Sequence, residues 1–202
     1  MRIAGRHVGH PFRGAICLAF AYLLALTWSL HAQQPASDGP QYVNKTNLVR
    51  PANYREWVFI GAGLGMNYDQ EASGGSAPIF TNVFVNPSSY RGFMETGRWP
   101  NGSVFVLEFR RSQTEAPPNR SGRFQADLVA LEAEVKDSRF PDGWAFYNFR
   151  GGGESAPPLA GQDVASCVEC HTKQTAVERT FVQFYPTLLD VARKKGTVKP
   201  GF

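Results

Sequence analysis

Alternating apolar and polar residues dominate the middle of the chain and predict strands. Ser103 to Arg110 puts Phe105, Leu107 and Phe109 on one face and Val104, Val106 and Glu108 on the other. Phe124 to Lys136 alternates in the same way, with Val129, Leu131, Ala133 and Val135 falling between Ala130, Glu132, Glu134 and Lys136. Its Ala, Leu and Glu favour helix, but the period of two decides for a strand. Phe80 to Asn86 and Trp144 to Phe149 are aromatic and β-branched runs of strand length, and Val58-Phe-Ile60 is a shorter one. Pro100-Asn-Gly102 and Pro141-Asp-Gly143 mark turns, the second closing a hairpin between two of these strands.

Helices are expected at the ends of this pattern. Pro51 to Trp57 opens with proline and suits a short helix, and Pro87 to Thr96 suits another, stopped by Gly97. From Asp163 onward the pattern is helical, and Pro186 opens a last helix, Thr187 to Lys195, ended by Gly196. Residues 33–50 read as an extended lead-in, while Asp69 to Ser76, Gln113 to Gly122 and Gly151 to Gly161 read as loops. The expected fold is α+β and mostly β: one domain over residues 51–202, an antiparallel sheet with short helices and a C-terminal helical segment. Gly61-Ala-Gly63-Leu-Gly65 follows a strand as dinucleotide-binding loops do, but no long helix follows it.

The N-terminus changes the picture of location and charge. Arg2, Arg6 and Arg13 precede an uncharged apolar run from Gly14 to Leu30, then His31-Ala32-Gln33, the layout of a secretory signal peptide over 1–32 with cleavage near Ala32. An uncleaved membrane anchor is the alternative, although about 20 apolar residues make a comfortable span. Cys17 lies inside the run, whereas a lipid-anchoring cysteine would follow it. Export removes three of the 21 Lys and Arg and none of the 17 Asp and Glu, so the remainder carries 18 against 17, a net +1. No basic stripe is left to hold nucleic acid.

With Cys17 gone, only Cys167 and Cys170 remain, in Cys167-Val-Glu-Cys170-His171. On a helix, positions i, i+3 and i+4 face one side, so two thiols can reach the vinyl groups of a haem while the imidazole reaches its iron. A structural zinc ion wants four ligands, and this chain offers two thiols and one histidine. A redox disulfide wants a strand-to-helix setting, whereas this motif follows a Gly/Pro-rich loop. The expected cofactor is therefore one haem c, attached through Cys167 and Cys170, with His171 as metal ligand.

The same count constrains the other side of the iron. His7, His10 and His31 leave with the signal peptide, so bis-histidine ligation is excluded. Met66 and Met94 are the only internal methionines and lie upstream of the motif. An open sixth position follows, which suits binding of a small ligand; a filled one suits electron transfer alone.

Tyr54-Arg-Glu-Trp57, Val83-Phe-Val-Asn-Pro87, Asn101-Gly-Ser-Val104, Val135-Lys-Asp-Ser138, Gly143-Trp-Ala-Phe-Tyr147, the Cys-x-x-Cys-His segment and Phe184-Tyr-Pro186 together resemble the cytochrome P-460 family, over about residues 48–190. The resemblance implies a mostly antiparallel β fold, often a homodimer, in a bacterial periplasm, with a five-coordinate haem on His171 that meets hydroxylamine or nitric oxide. Members proper carry a lysine, linked to the haem edge, in a Val-Lys-Glu setting that here reads Val106-Leu107-Glu108. Lys136 is no substitute, because the family pattern already holds a lysine there. Without that link the chain is similar to the β-type cytochromes c′, which bind nitric oxide under apolar caps.

Leu107, with Phe105 or Phe109 and with Phe80 or Phe84, is the expected cap, and Gln162 is a candidate polar group over the iron. The leading expectation is a periplasmic haem protein that binds nitric oxide or a related small nitrogen ligand. The rivals are an oxidoreductase acting on hydroxylamine or nitric oxide, passing electrons to a partner cytochrome with help from Glu108 or Gln162, and a plain electron carrier with Met66 or Met94 as sixth ligand.

Overall fold

The alternating stretches are strands, and the register between them decides which side chains share a face. The computed structural model describes residues 37–66 and 77–202; the expected signal peptide and the expected loop over 69–76 lie outside these residues. The elements are β1 (Tyr42–Val43), β2 (Asn47–Val49), β3 (Val58–Leu64), β4 (Phe80–Val85), α1 (Pro87–Thr96), β5 (Ser103–Gln113), β6 (Phe124–Lys136), β7 (Trp144–Asn148), β8 (Ser155–Ala156), α2 (Gln162–Lys173) and α3 (Pro186–Lys195). Single 3-10 turns fill Tyr54–Glu56, Arg150–Gly152 and Val182–Phe184.

β3 to β7 form an antiparallel sheet in sequence order, and β1, β2 and β8 form a second, three-stranded antiparallel sheet. The mostly β, α+β architecture expected from the sequence is the one found. The stretch expected as an extended lead-in differs: from Asp38 on it belongs to the folded unit, because β2 pairs with β8 and buries Leu48 completely. β3 also runs past Ile60 through Gly61 and Gly63 to Leu64. Both α1 and α3 begin at a proline and end in left-handed glycines, Gly97 and Gly196, as the sequence requires.

Each face of the main sheet carries its own core. On one face Tyr54, Phe84, Val104, Val106, Val135 and Tyr147 pack beneath the small sheet. On the other, Val85, Phe93, Trp99, Phe105, Val177 and Leu188 pack against α1 and α3. Phe93 packs tilted against Trp99 at 4.2 Å between ring centroids, and Trp99 meets Phe105 edge-on at 4.6 Å.

One charged residue breaks the apolar alternation of β5. Glu108 points into the first core with a side chain that is 0 % exposed. Its oxygens accept hydrogen bonds from Tyr54 Oη at 2.6 Å, Asn82 Nδ2 at 3.1 Å and Arg110 Nε at 2.8 Å, and Arg55 adds an ion pair. Burial alone would raise the Glu108 pKa. The hydrogen bonds from Arg110, Tyr54 and Asn82 outweigh it and hold the carboxyl at about 2, against an ordinary 4.5.

A carboxylate with a depressed folded pKa contributes stability that is complete above pH 4.5 and is lost as pH falls toward 2. That contribution is on the order of 3 kcal/mol. Glu108→Gln is expected to lower stability at pH 7 by about that amount and to flatten the acid limb between pH 4.5 and 2, as read by urea unfolding at a series of pH values. Equal pH slopes in the two proteins would refute the assignment.

Candidate functional site

Antiparallel pairing lines up a cavity floor from residues far apart in sequence. Gly61 pairs with Val83, Val83 with Leu107, Leu107 with Glu132 and Glu132 with Asn148, one row across five strands. The next row runs Val58, Val85, Phe105, Glu134, Phe146, and a row on the other side joins Gly63, Thr81 and Phe109. Side chains in these rows face α2 and the segment that follows it, and between them lies a cavity of about 520 Å³.

α2 brings the sequence motif to this cavity. Cys167, Cys170 and His171 all line it, as their helical spacing requires. Both cysteines are free thiols, half-buried. Burial raises the pKa of each, helped by the charge of Glu132 at Cys167 and of Glu169 at Cys170. A redox cysteine wants the opposite, a lowered pKa at a helix N-terminus, and Cys167 lies five residues after Gln162, where the helix starts. Among the described residues, no three His, Cys, Asp or Glu side chains converge as a metal site. Two neutral thiols and an imidazole lining one large, mostly apolar cavity fit a tethered porphyrin and do not fit zinc or a disulfide.

His171 is held on several sides. Its ring lies edge-on between Phe146 and Phe181, each at 4.8 Å between centroids. Nδ1 donates to the backbone carbonyl of Arg179 at 2.8 Å, leaving Nε2 for a metal. That carbonyl sits in a tight turn at Val177–Thr180 in which Glu178 takes a left-handed φ of 50°. Lys136 anchors the turn, donating to Glu178 at 2.8 Å and to the Trp99 carbonyl at 2.7 Å, and Trp99 Nε1 donates to Thr180 Oγ1 at 2.8 Å. Lys136 is thereby committed away from the cavity.

Glu134 Oε1 stands 3.2 Å from the same Nδ1, and no other hydrogen bond reaches it. Burial raises the Glu134 pKa against the opposing pull of His171 and Arg179. At His171, burial lowers the pKa, but Glu134 and the Arg179 carbonyl outweigh it and leave the ring more basic than usual. Glu132 is also raised by burial, and it accepts from Asn148 Nδ2 at 3.0 Å.

The structure brings together Cys167, Cys170, His171, Leu107, Phe105 and Phe109. It separates four other expected residues, Phe80, Phe84, Glu108 and Gln162, from them. Phe84 pairs with Val106 and packs edge-on against Tyr54 and Phe59 in the opposite core, because the period of two sends it through the sheet from Val83. Phe80 shares that parity, and Val83 takes the place at the cavity. Gln162 is the first residue of α2, exposed and outside the cavity wall. Glu108 faces the first core, so it cannot serve the cavity. Of the methionines, Met66 lines the cavity, while Met94 packs from α1 into the second core.

Sequence reasoning passed over Glu132, Glu134 and Tyr185 and treated the glycines of β3 only as a rejected nucleotide loop. Their signal is steric: a Cβ at Gly61 would overlap the Tyr185 ring, and one at Gly63 would overlap the Met66 thioether. Glycine lets the cavity wall close over β3.

The Cytochrome P460 family model matches residues 51–182, a span that holds the sheet floor and the whole Cys-x-x-Cys-His segment. No curated protein matches the chain.

Gly61→Ala is expected to push Tyr185 from its place and to destabilise the folded protein by about 1–3 kcal/mol, the usual cost of overpacking. Chemical denaturation of the purified variant measures this, and a loss below 0.5 kcal/mol, roughly that of a neutral surface change, would show that the contact is slack.

Proposed function

Because the chain belongs to the cytochrome P460 family, we propose that it is an exported haem c protein that binds nitric oxide or a related small nitrogen ligand. In this reading Cys167 and Cys170 would tether one haem, His171 would ligate its iron, and the iron would keep a coordination position open to a small ligand. The observation that carries it is one cavity that joins both thiols and the only histidine after residue 31 to a wall of Val83, Leu107 and Phe109. When bound, the haem supplies an iron that takes a small ligand and exchanges one electron.

The chain's own residues set the terms. The Arg179 carbonyl fixes the His171 tautomer and leaves Nε2 free to ligate a metal. Phe146 and Phe181 hold the ring plane. Val83, Leu107 and Phe109 carry no hydrogen-bond donor, which favours nitric oxide over dioxygen, a ligand that gains from one. Leucine at 107 forms no bond to the macrocycle, which ranks ligand binding above hydroxylamine oxidation. The basic, then apolar, N-terminus supports export to the periplasm with cleavage near Ala32.

Met66 on the cavity wall favours a second reading, an electron carrier with a thioether as sixth ligand. Absorption and resonance Raman spectra of the purified holoprotein separate the two. Five-coordinate high-spin iron that binds nitric oxide, unchanged in Met66→Leu, is the expected result. Six-coordinate low-spin iron that becomes high-spin in Met66→Leu would replace the first reading with the second. Steady turnover of hydroxylamine with an electron acceptor would instead establish an oxidoreductase.

A further inference from the structure

We propose that Glu134 is a positioning residue that strengthens His171 as a ligand by sharing the Nδ1 proton with the Arg179 carbonyl. The inference rests on the reading of His171 as the iron ligand. Glu134 is buried in β6, its Oε1 lies 3.2 Å from Nδ1, and that oxygen has no hydrogen bond of its own. The register fixes it there: Glu134 pairs with Phe105 on one side and with Phe146 on the other, and Phe146 packs against the His171 ring. An acidic side chain with one orphaned oxygen beside a ring N–H has a single acceptor role open to it.

A backbone carbonyl at 2.8 Å already satisfies the Nδ1 proton, so the carboxylate is not needed to hold the ring in place. What it adds is negative charge. A carboxylate draws the proton further from the ring than a neutral carbonyl does, and the ring then gives more electron density to its metal. The consequences are a stabilised oxidised iron, hence a lower reduction potential, and a stiffer bond between iron and His171. Glu132, two residues earlier on the same face, is the natural comparison, because its carboxylate is engaged by Asn148.

The test uses holoprotein matured in a periplasm, as wild type, Glu134→Gln, Glu134→Asp and Glu132→Gln. Intact mass and a pyridine haemochrome spectrum first report whether haem is attached; its absence from the wild type would strike the proposed function and not this inference. With haem attached, Glu134→Gln is expected to raise the reduction potential by a tenfold or larger change in the redox equilibrium, about 59 mV for one electron. It is also expected to lower the iron–histidine stretching frequency in the ferrous protein. Glu134→Asp keeps the charge but shortens the reach, and should shift both readouts in the same direction by less. Unchanged potential and frequency in either Glu134 variant would overturn the inference, as would an equal drop in frequency in Glu132→Gln, which would mark a general field of the cavity. Loss of thermal stability with both readouts intact would assign Glu134 a structural role only.

Discussion

The register of β4, β5 and β6 is the constraint on which the rest of the structure depends. Side chains on a strand alternate, so sliding β5 by one residue would carry Glu108 and Arg110 together to the cavity face and bury Leu107 against Tyr54 and Asn82. Glu108 would lose its hydrogen bonds from Tyr54 and Asn82, and a hydrogen bond to a charged group is worth about 1.5–3 kcal/mol. The Glu108 network therefore acts as a pin through the sheet. It touches nothing in the cavity, yet it selects which residues the cavity sees.

A second chain of contacts fixes the imidazole. Lys136 at the end of β6 holds Glu178, the turn around Glu178 presents the Arg179 carbonyl, and that carbonyl takes the Nδ1 proton of His171. Thr175 ties the end of α2 to the same turn, its hydroxyl lying 2.6 Å from the His171 carbonyl and 3.0 Å from the Glu178 carbonyl and sharing its one proton between them. Two thioethers can tether a macrocycle, but they leave the ligand ring free to rotate. The turn and the flanking rings of Phe146 and Phe181 remove that freedom.

Much of this was legible in the sequence where one local rule dominates. The period of two gave β6 its bounds, Phe124–Lys136, against the helical preference of its residues, and it put Phe105, Leu107 and Phe109 on one face. Helical spacing in Cys167-Val-Glu-Cys170-His171 announced the site. What could not be read depends on pairing across the chain. Whether Phe84 or Val83 faces the cavity follows from the partner of β5, not from β4 itself. Glu132 and Glu134 read as the polar half of an alternating strand, and only the packing of α2 over them shows that this half is covered. The pairing of β2 with β8 joins residues more than 100 positions apart and leaves no local mark.

The cavity is chemically lopsided, and that asymmetry bears on what it can discriminate. Its carboxylates, Glu132 and Glu134, both come from β6, beside His171, while the floor from β3 to β5 is glycine, Thr81 and apolar side chains. In the proposed reading, charge placed next to His171 acts through that ligand rather than through contact with a bound guest. Hydrocarbon on the floor can sort guests only by size and by their need for a hydrogen bond. In the proposed reading, such a site would adjust affinity through the electron density on its metal and would admit small ligands that bind without a polar partner.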